Sequence, residues 1–224
     1  MARRSEQHGV RAVAVHADLS TAAGARDLAA QVLAQRPEID IVIANAESQF
    51  PLGRLVDLDA ETLGANTAAD LAALHVLPTA FLPAMQERRF GRLLVMSSVH
   101  ALGPTAPGMA AHGTGKAAVE AYVRYAADEF GGDGVTVNAL RLGFVDTKAT
   151  SAVPQRAREL LTAAIPAGRL GTPDDIGAVV ALLAQPGAAW INGAVIPATA
   201  GLNNPLPLSR LLAGSWSTPE RTAS

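Results

Sequence analysis

Five short apolar runs constrain the fold more than any other feature: RAVAVHADL (11–19), IDIVIANA (39–46), GRLLVMSS (91–98), VTVNALRL (135–142) and GAVIPAT (193–199). Each has the length and composition of a strand, and segments with helical spacing of apolar residues separate them. Ser20 reads as the N-cap of a helix over TAAGARDLAAQVLAQ (21–35). A second helix covers about 59–88, where Pro78 and Pro83 must kink or divide it, and a third spans roughly 110–130. IDIVIANA is apolar through its centre, Ile41 to Ala44, as strands covered on both faces are. This alternation predicts right-handed βαβ units and an α/β fold with a doubly wound, mostly parallel sheet.

The chain has 224 residues and a formal charge of −2. That length accommodates one domain, assigned to residues 1–202, and the Pro- and Ser-rich segment 203–224 reads as a tail. A charge so near zero argues against a nucleic-acid partner, which needs a basic surface to displace counterions. There is no cysteine, so disulfides and thiolate metal sites are excluded, and no His/carboxylate spacing suggests another metal. The most apolar stretch, IGAVVALLAQPGAAWINGAVI, is interrupted by Gln185, Pro186 and Asn192, so no membrane span is expected. The expectation is a cytoplasmic protein acting on a small molecule.

HGTGKAAVEAYVRYAADEF (112–130) raises the sharpest chemical question. Its Gly-Thr-Gly-Lys hints at a phosphate loop, but that motif needs a glycine where Ala110 stands and a hydroxyl residue where Ala117 follows Lys116. What remains is a helix with His112 and Lys116 four residues apart, on one face.

Taken together, HADLS, IDIVIANAES, GRLLVMSS, the 112–130 helix and RLGFVDT resemble the short-chain dehydrogenase/reductase family, from about Val10 to Ala200. The resemblance implies a Rossmann-like fold. It also implies that Asp18 meets an adenine, that Asn45 belongs to the Asn-Asn-Ala-Gly strand, and that Gly143, Val145 and Thr147 form the loop beneath a nicotinamide. Ser98 would be the active-site serine, and Lys116 the lysine that holds the nicotinamide ribose. Where the family has its tyrosine proton carrier, this chain has His112. The family's asparagine position falls on Asp70 by ungapped counts from both FLPAM and LDAET, with Asn66 the alternative if one turn is inserted. Glu47 stands where a glycine normally lets the cofactor ribose approach.

The glycine-rich turn that would grip a pyrophosphate is absent from the first 40 residues, and the sequence starts near the family's third strand. The sheet is therefore expected to be N-terminally truncated, with about five strands. In the usual order two strands lie between the family's third and fourth, so the 11–19 strand is expected to shift and pair beside IDIVIANA.

These departures favour nicotinamide-independent acid–base chemistry on a small carbonyl compound, such as enolisation, dehydration, aldol or ring-closing steps. In that reading His112 is the acid/base, Ser98 holds the substrate oxygen, Lys116 and Asp70 give electrostatic support, and no cofactor is used. An atypical oxidoreductase using NAD or NADP on a ketone or alcohol is the first alternative, and a non-catalytic paralogue or assembly partner the second. The resemblance further implies a homodimer or homotetramer through the helices around 59–88 and 110–130.

Overall fold

The computed structural model describes residues 9–47, 50–103, 108–148, 150–151 and 153–202; the 203–224 tail lies outside them. Four strands, β1 (Ile41–Ala44), β2 (Gly91–Ser98), β3 (Val135–Leu142) and β4 (Val195–Ala198), form one sheet in that order, and all its pairs are parallel. Among the described residues five α-helices accompany them: α1 (Ala22–Gln35), α2 (Ala60–Glu87), α3 (Ala110–Phe130), α4 (Gln155–Ala164) and α5 (Pro173–Leu183). The bounds of β2 and β3 coincide with the apolar runs in the sequence, whose flanking glycine and loop residues end the pattern sharply.

Strand alternation sorts the core into two layers. Leu93, Val95, Val135, Val137 and Ala139 face α2 and α3, meeting Leu74, Phe81, Met85, Val119, Val123 and Phe130. Leu94, Met96 and Leu140 face the other way, against Leu183, Ile176, Val179 and Val180 of α5. Each fully buried Leu or Val contributes about 1.5–3 kcal/mol relative to an exposed one, so β2 and β3 anchor the domain. The sheet steps in one direction throughout, yet α2 and α3 lie on one face and α5 on the other. The last crossover therefore has the opposite hand to the first two, departing from the uniform handedness expected. The long 143–172 excursion, which includes α4, gives the chain room to change face.

Helix α2 is continuous through Pro78 and Pro83 rather than divided there. Near Pro78 the hydroxyl of Thr79 donates to the carbonyls of His75 (2.7 Å) and Val76 (3.1 Å), covering acceptors where the proline disturbs the ladder. By length and composition alone this helix could cross a membrane, with a window of mean hydropathy 1.4. It contains Asn66, Asp70 and His75, and it packs against both α1 and α3 as a layer helix. The cap of α1 is Thr21, whose side chain accepts from Gly24 N–H at 3.1 Å, and Ser20 bonds to Asp18 instead.

The expected first strand does not form. Residues 10–18 have no ladder partner, so the sheet has four strands, not about five, and the proposed shift against β1 does not occur. The segment lies beside the end of α1 and the approach to β1 without pairing: Arg11, Val13 and Val15 border a 210 Å³ cavity with Val32, Gln35, Arg36 and Ile39, and Leu19 borders another with Val42, Ile43 and Ala44. Among the described residues no strand pairs with the outer edge of β1, where Ile41 is 41% and Ile43 47% exposed, in contrast to the two-sided burial its apolar sequence suggested. An open apolar edge is a template for association. Replacing Ile43 with Lys should lower concentration-dependent self-association in sedimentation velocity while leaving the far-UV spectrum unchanged.

Candidate functional site

The site gathers at the C-terminal ends of β1 and β2, where open α/β sheets place their ligands. Helix α3 contributes His112 and Lys116, both 6% exposed. The chain leaving β1 contributes Glu47. Its Oε1 accepts from His112 Nδ1 at 2.9 Å and from Lys116 Nζ at 3.2 Å. Asp70, on α2, places Oδ2 3.9 Å from Lys116 Nζ. One ammonium thus lies between two carboxylates, and one of those carboxylates also holds the imidazole. Burial pushes the Glu47 carboxyl upward, but the His112 bond and the Lys116 charge outweigh it, and its pKa falls below the ordinary value.

Close backbone approach makes this cluster possible. A Cβ on Gly113 would sit 2.7 Å from the His100 carbonyl oxygen, so only glycine lets α3 approach the turn after β2 so closely. A Cβ on Gly115 would lie 3.1 Å from Asn66 Nδ2 and 3.2 Å from Asp70 Oδ2, so glycine there brings α2 and α3 together. The His112 ring packs against Phe50 (centroids 4.3 Å) and meets the His100 ring edge-on at 5.3 Å.

Ser98 closes β2, and its hydroxyl accepts the His100 N–H at 3.3 Å. The ring of the same His100 meets that of His112, so Ser98 lies on the turn that borders His112, joined to it by a backbone contact. Asn66 and Asp70 both face α3. Asn66 is buried and donates from Nδ2 to the Ala111 carbonyl at 3.2 Å, leaving its Oδ1 unsatisfied, while Asp70 approaches Lys116. Asn45 borders a 90 Å³ cavity together with Asp70 and Lys116.

The other predicted contacts lie apart from this cluster. Asp18 is exposed, accepts from Ser20 N–H (2.9 Å) and Ser20 Oγ (2.6 Å), and serves the turn into α1. Gly143, Val145 and Thr147 follow β3. Gly143 N–H donates to the Ala198 carbonyl at 3.1 Å, and Thr150 Oγ1 ties this loop by donating to the Val145 carbonyl at 2.9 Å. Tyr122 contacts His75 (3.2 Å) and Tyr125 is 77% exposed, so neither joins the cluster.

Sequence reasoning missed three parts of this arrangement. Glu47 figures there only as an obstacle, His100 has no place in it, and a buried ion pair one turn beyond Lys116 is absent from it. There Glu120 takes a bidentate guanidinium from Arg141 (2.9 and 2.6 Å) and the Ser97 hydroxyl (2.7 Å). The four-residue spacing 112–116–120 was the available signal, since it puts all three side chains on one face.

The comparisons with known proteins agree with this architecture. A family model described as enoyl-(acyl carrier protein) reductase matches residues 1–203. The 3-oxoacyl-[acyl-carrier-protein] reductase FabG of Pseudomonas aeruginosa is 39% identical over 134 residues, 59% of this chain and 53% of that protein. The Bacillus subtilis protein described as uncharacterized oxidoreductase YjdA is 32% identical over 195 residues, 86% of this chain and 76% of its own length. A solved structure described as a Pseudomonas aeruginosa RhlG/NADP active-site complex superposes with TM-score 0.82 at 27% identity, covering 91% of this chain and 81% of that one. The chain belongs to the short-chain dehydrogenase/reductase family. It spans about half the length of the FabG relative. These relatives favour the dinucleotide-using alternative over the cofactor-free reading, so the expectation of no cofactor loses its support.

Part of what one end of a nicotinamide dinucleotide needs is present. Lys116 places an ammonium at the strand ends beside Asn45, although Glu47 already holds it, and in the loop after β3 the Gly143, Asp146 and Thr147 N–H groups are bonded within the protein. At the other end, residues 9–47 hold no glycine-rich strand–turn–helix, and Asp18 is engaged with Ser20.

His100 gives the site a pH signature. Burial first, and the neighbouring His112 second, lower its pKa from 6.5 to about 4, with Glu47 opposing. Between those values the unfolded chain binds the proton that the folded chain refuses, so stability rises with pH across this window and is lost as pH falls through it. Unfolding midpoints in urea should therefore drop from pH 6.5 to pH 4, and His100→Asn should flatten that part of the profile.

Proposed function

We propose that this protein is a ketone/alcohol oxidoreductase of the short-chain class in which His112 replaces a tyrosine as proton carrier. The observation that carries the reading is the His112–Glu47–Lys116 cluster at the strand ends, with Ser98 one residue pair away through His100. The names of the relatives support the reaction class. A dinucleotide, when bound, supplies the hydride equivalent, and Lys116 and Asn45 are the residues that would hold its nicotinamide end.

The chain's own side chains carry the rest. Ser98 Oγ can turn from its backbone contact to donate to a substrate oxygen. His112 delivers a proton to that oxygen in reduction and takes it in oxidation. An imidazole has a reference pKa near 6.5 against about 10 for a phenol, so it exchanges protons near neutral pH without help from a strong neighbouring cation. Lys116, shared between Glu47 and Asp70, keeps the local charge balanced. The same reading makes the protein a cytoplasmic homo-oligomer acting on a small molecule.

A second reading, nicotinamide-independent acid–base chemistry, is supported by one observation: Glu47 already occupies Lys116, where a ribose would need the ammonium. A single set of measurements separates the two. Under the first reading the full chain binds NADPH or NADH by fluorescence titration and reduces a panel of small ketones, and His112→Ala lowers turnover about 10²–10⁴-fold, the usual worth of a positioned acid–base group. Deuterium exchange next to a carbonyl that depends on His112, without any dinucleotide binding, would establish the second. Binding of neither cofactor and no His112-dependent turnover would leave the non-catalytic alternative.

A further inference from the structure

Glu47 lies three residues beyond β1, on a segment that no regular element holds in place. Even so, its Oε1 meets both His112 Nδ1 at 2.9 Å and Lys116 Nζ at 3.2 Å. Those two bonds keep the carboxyl ionised to lower pH than usual despite its burial. An ionised carboxylate is acceptor-only, so a hydrogen bond to Nδ1 requires the proton to be on Nδ1. The neutral ring then has its lone pair on Nε2, the nitrogen directed away from Glu47 by the geometry of imidazole. The Phe50 ring at 4.3 Å and the His100 ring at 5.3 Å oppose rotation of the imidazole, so neither nitrogen can exchange places cheaply.

We propose that Glu47 is a positioning residue: it fixes His112 with Nδ1 protonated, so that Nε2 alone passes the proton to and from substrate. Lys116 bonds to the same Oε1, keeping the carboxylate charged and aimed. The role is that of the carboxylate in a hydrolase triad, which orients an imidazole and selects its tautomer. The residue that looked like a steric obstacle in the sequence is thus the part that makes a histidine usable at this position. The catalytic consequence rests on the reading of His112 given above, but the tautomer itself does not.

The test separates these. Long-range proton–nitrogen spectra of the full chain, labelled with ¹⁵N-histidine and recorded near pH 8, report which ring nitrogen is protonated, and His112→Asn assigns the resonances. The expected wild-type pattern is a protonated-type Nδ1 and a lone-pair-type Nε2. Glu47→Gln, close in size and on an irregular segment, should shift the population toward the Nε2–H tautomer, and Glu47→Asp should restore part of the original pattern. In the ketone assay Glu47→Gln should lower kcat by about 10²-fold or more with a small change in KM, below the about 10⁴-fold loss that an amide causes in a hydrolase triad. An Nε2-protonated wild-type ring, or an unchanged pattern in Glu47→Gln, would overturn the positioning role whatever the turnover. Turnover that survives His112→Ala would overturn the proton-carrier reading and the catalytic consequence with it.

Discussion

Helix α3 buries three ionisable side chains on one face, His112, Lys116 and Glu120, and none of them is stable in the core without a partner. The rest of the site follows from meeting that requirement. Glu47 bonds to His112 and Lys116, Asp70 approaches Lys116 from α2, and Arg141 and Ser97 satisfy Glu120 from β3 and β2. The Glu120–Arg141 pair fastens the middle of α3 to the two best-buried strands. Removing one partner of a buried pair commonly costs about 3–5 kcal/mol, because the charge left behind is uncompensated. A helix fixed in this way presents His112 and Lys116 to the strand ends in one geometry, as an acid–base site requires.

The same constraint explains the glycines of HGTGK. In an exposed helix they would cost up to about 1 kcal/mol each relative to alanine. Here Gly113 admits the His100 carbonyl and Gly115 admits Asn66 and Asp70, and any side chain would force those groups back. A pattern that suggests a phosphate loop, or a weakened helix start, is the footprint of three segments crowding around His112.

Much of this was legible in the sequence. The runs GRLLVMSS and VTVNALRL end where β2 and β3 end, because their residues are buried on both faces and their flanks are not. The 110–130 periodicity gave α3, and the His112–Lys116 spacing placed both on the inner face. The 11–19 run misled, since strand composition cannot form a strand without a neighbour to complete its ladder, and none of its residues pairs with β1. The contacts of Glu47 are hidden as well: it precedes His112 by 65 positions, and only the fold brings them together. Its place at a family glycine is legible, but its two donors are not. The loss of uniform crossover hand around α5 has no local sequence signal, because it depends on which face a long excursion returns to.

Under the proposed reading, an imidazole tied to the Glu47 carboxylate stands where the family resemblance puts a phenol. The two groups fit together physically, since an imidazole has two nitrogens and needs one of them fixed. The most direct measurement of that dependence is a double-mutant cycle on equilibrium unfolding, with Glu47→Gln, His112→Gln and the pair. The account predicts a coupling energy within the roughly 0.5–3 kcal/mol range of residues in one bonded network, toward its lower end because the Glu47 side chain is 39% exposed. Effects that add to within about 0.3–0.5 kcal/mol, as for independent sites, would contradict it.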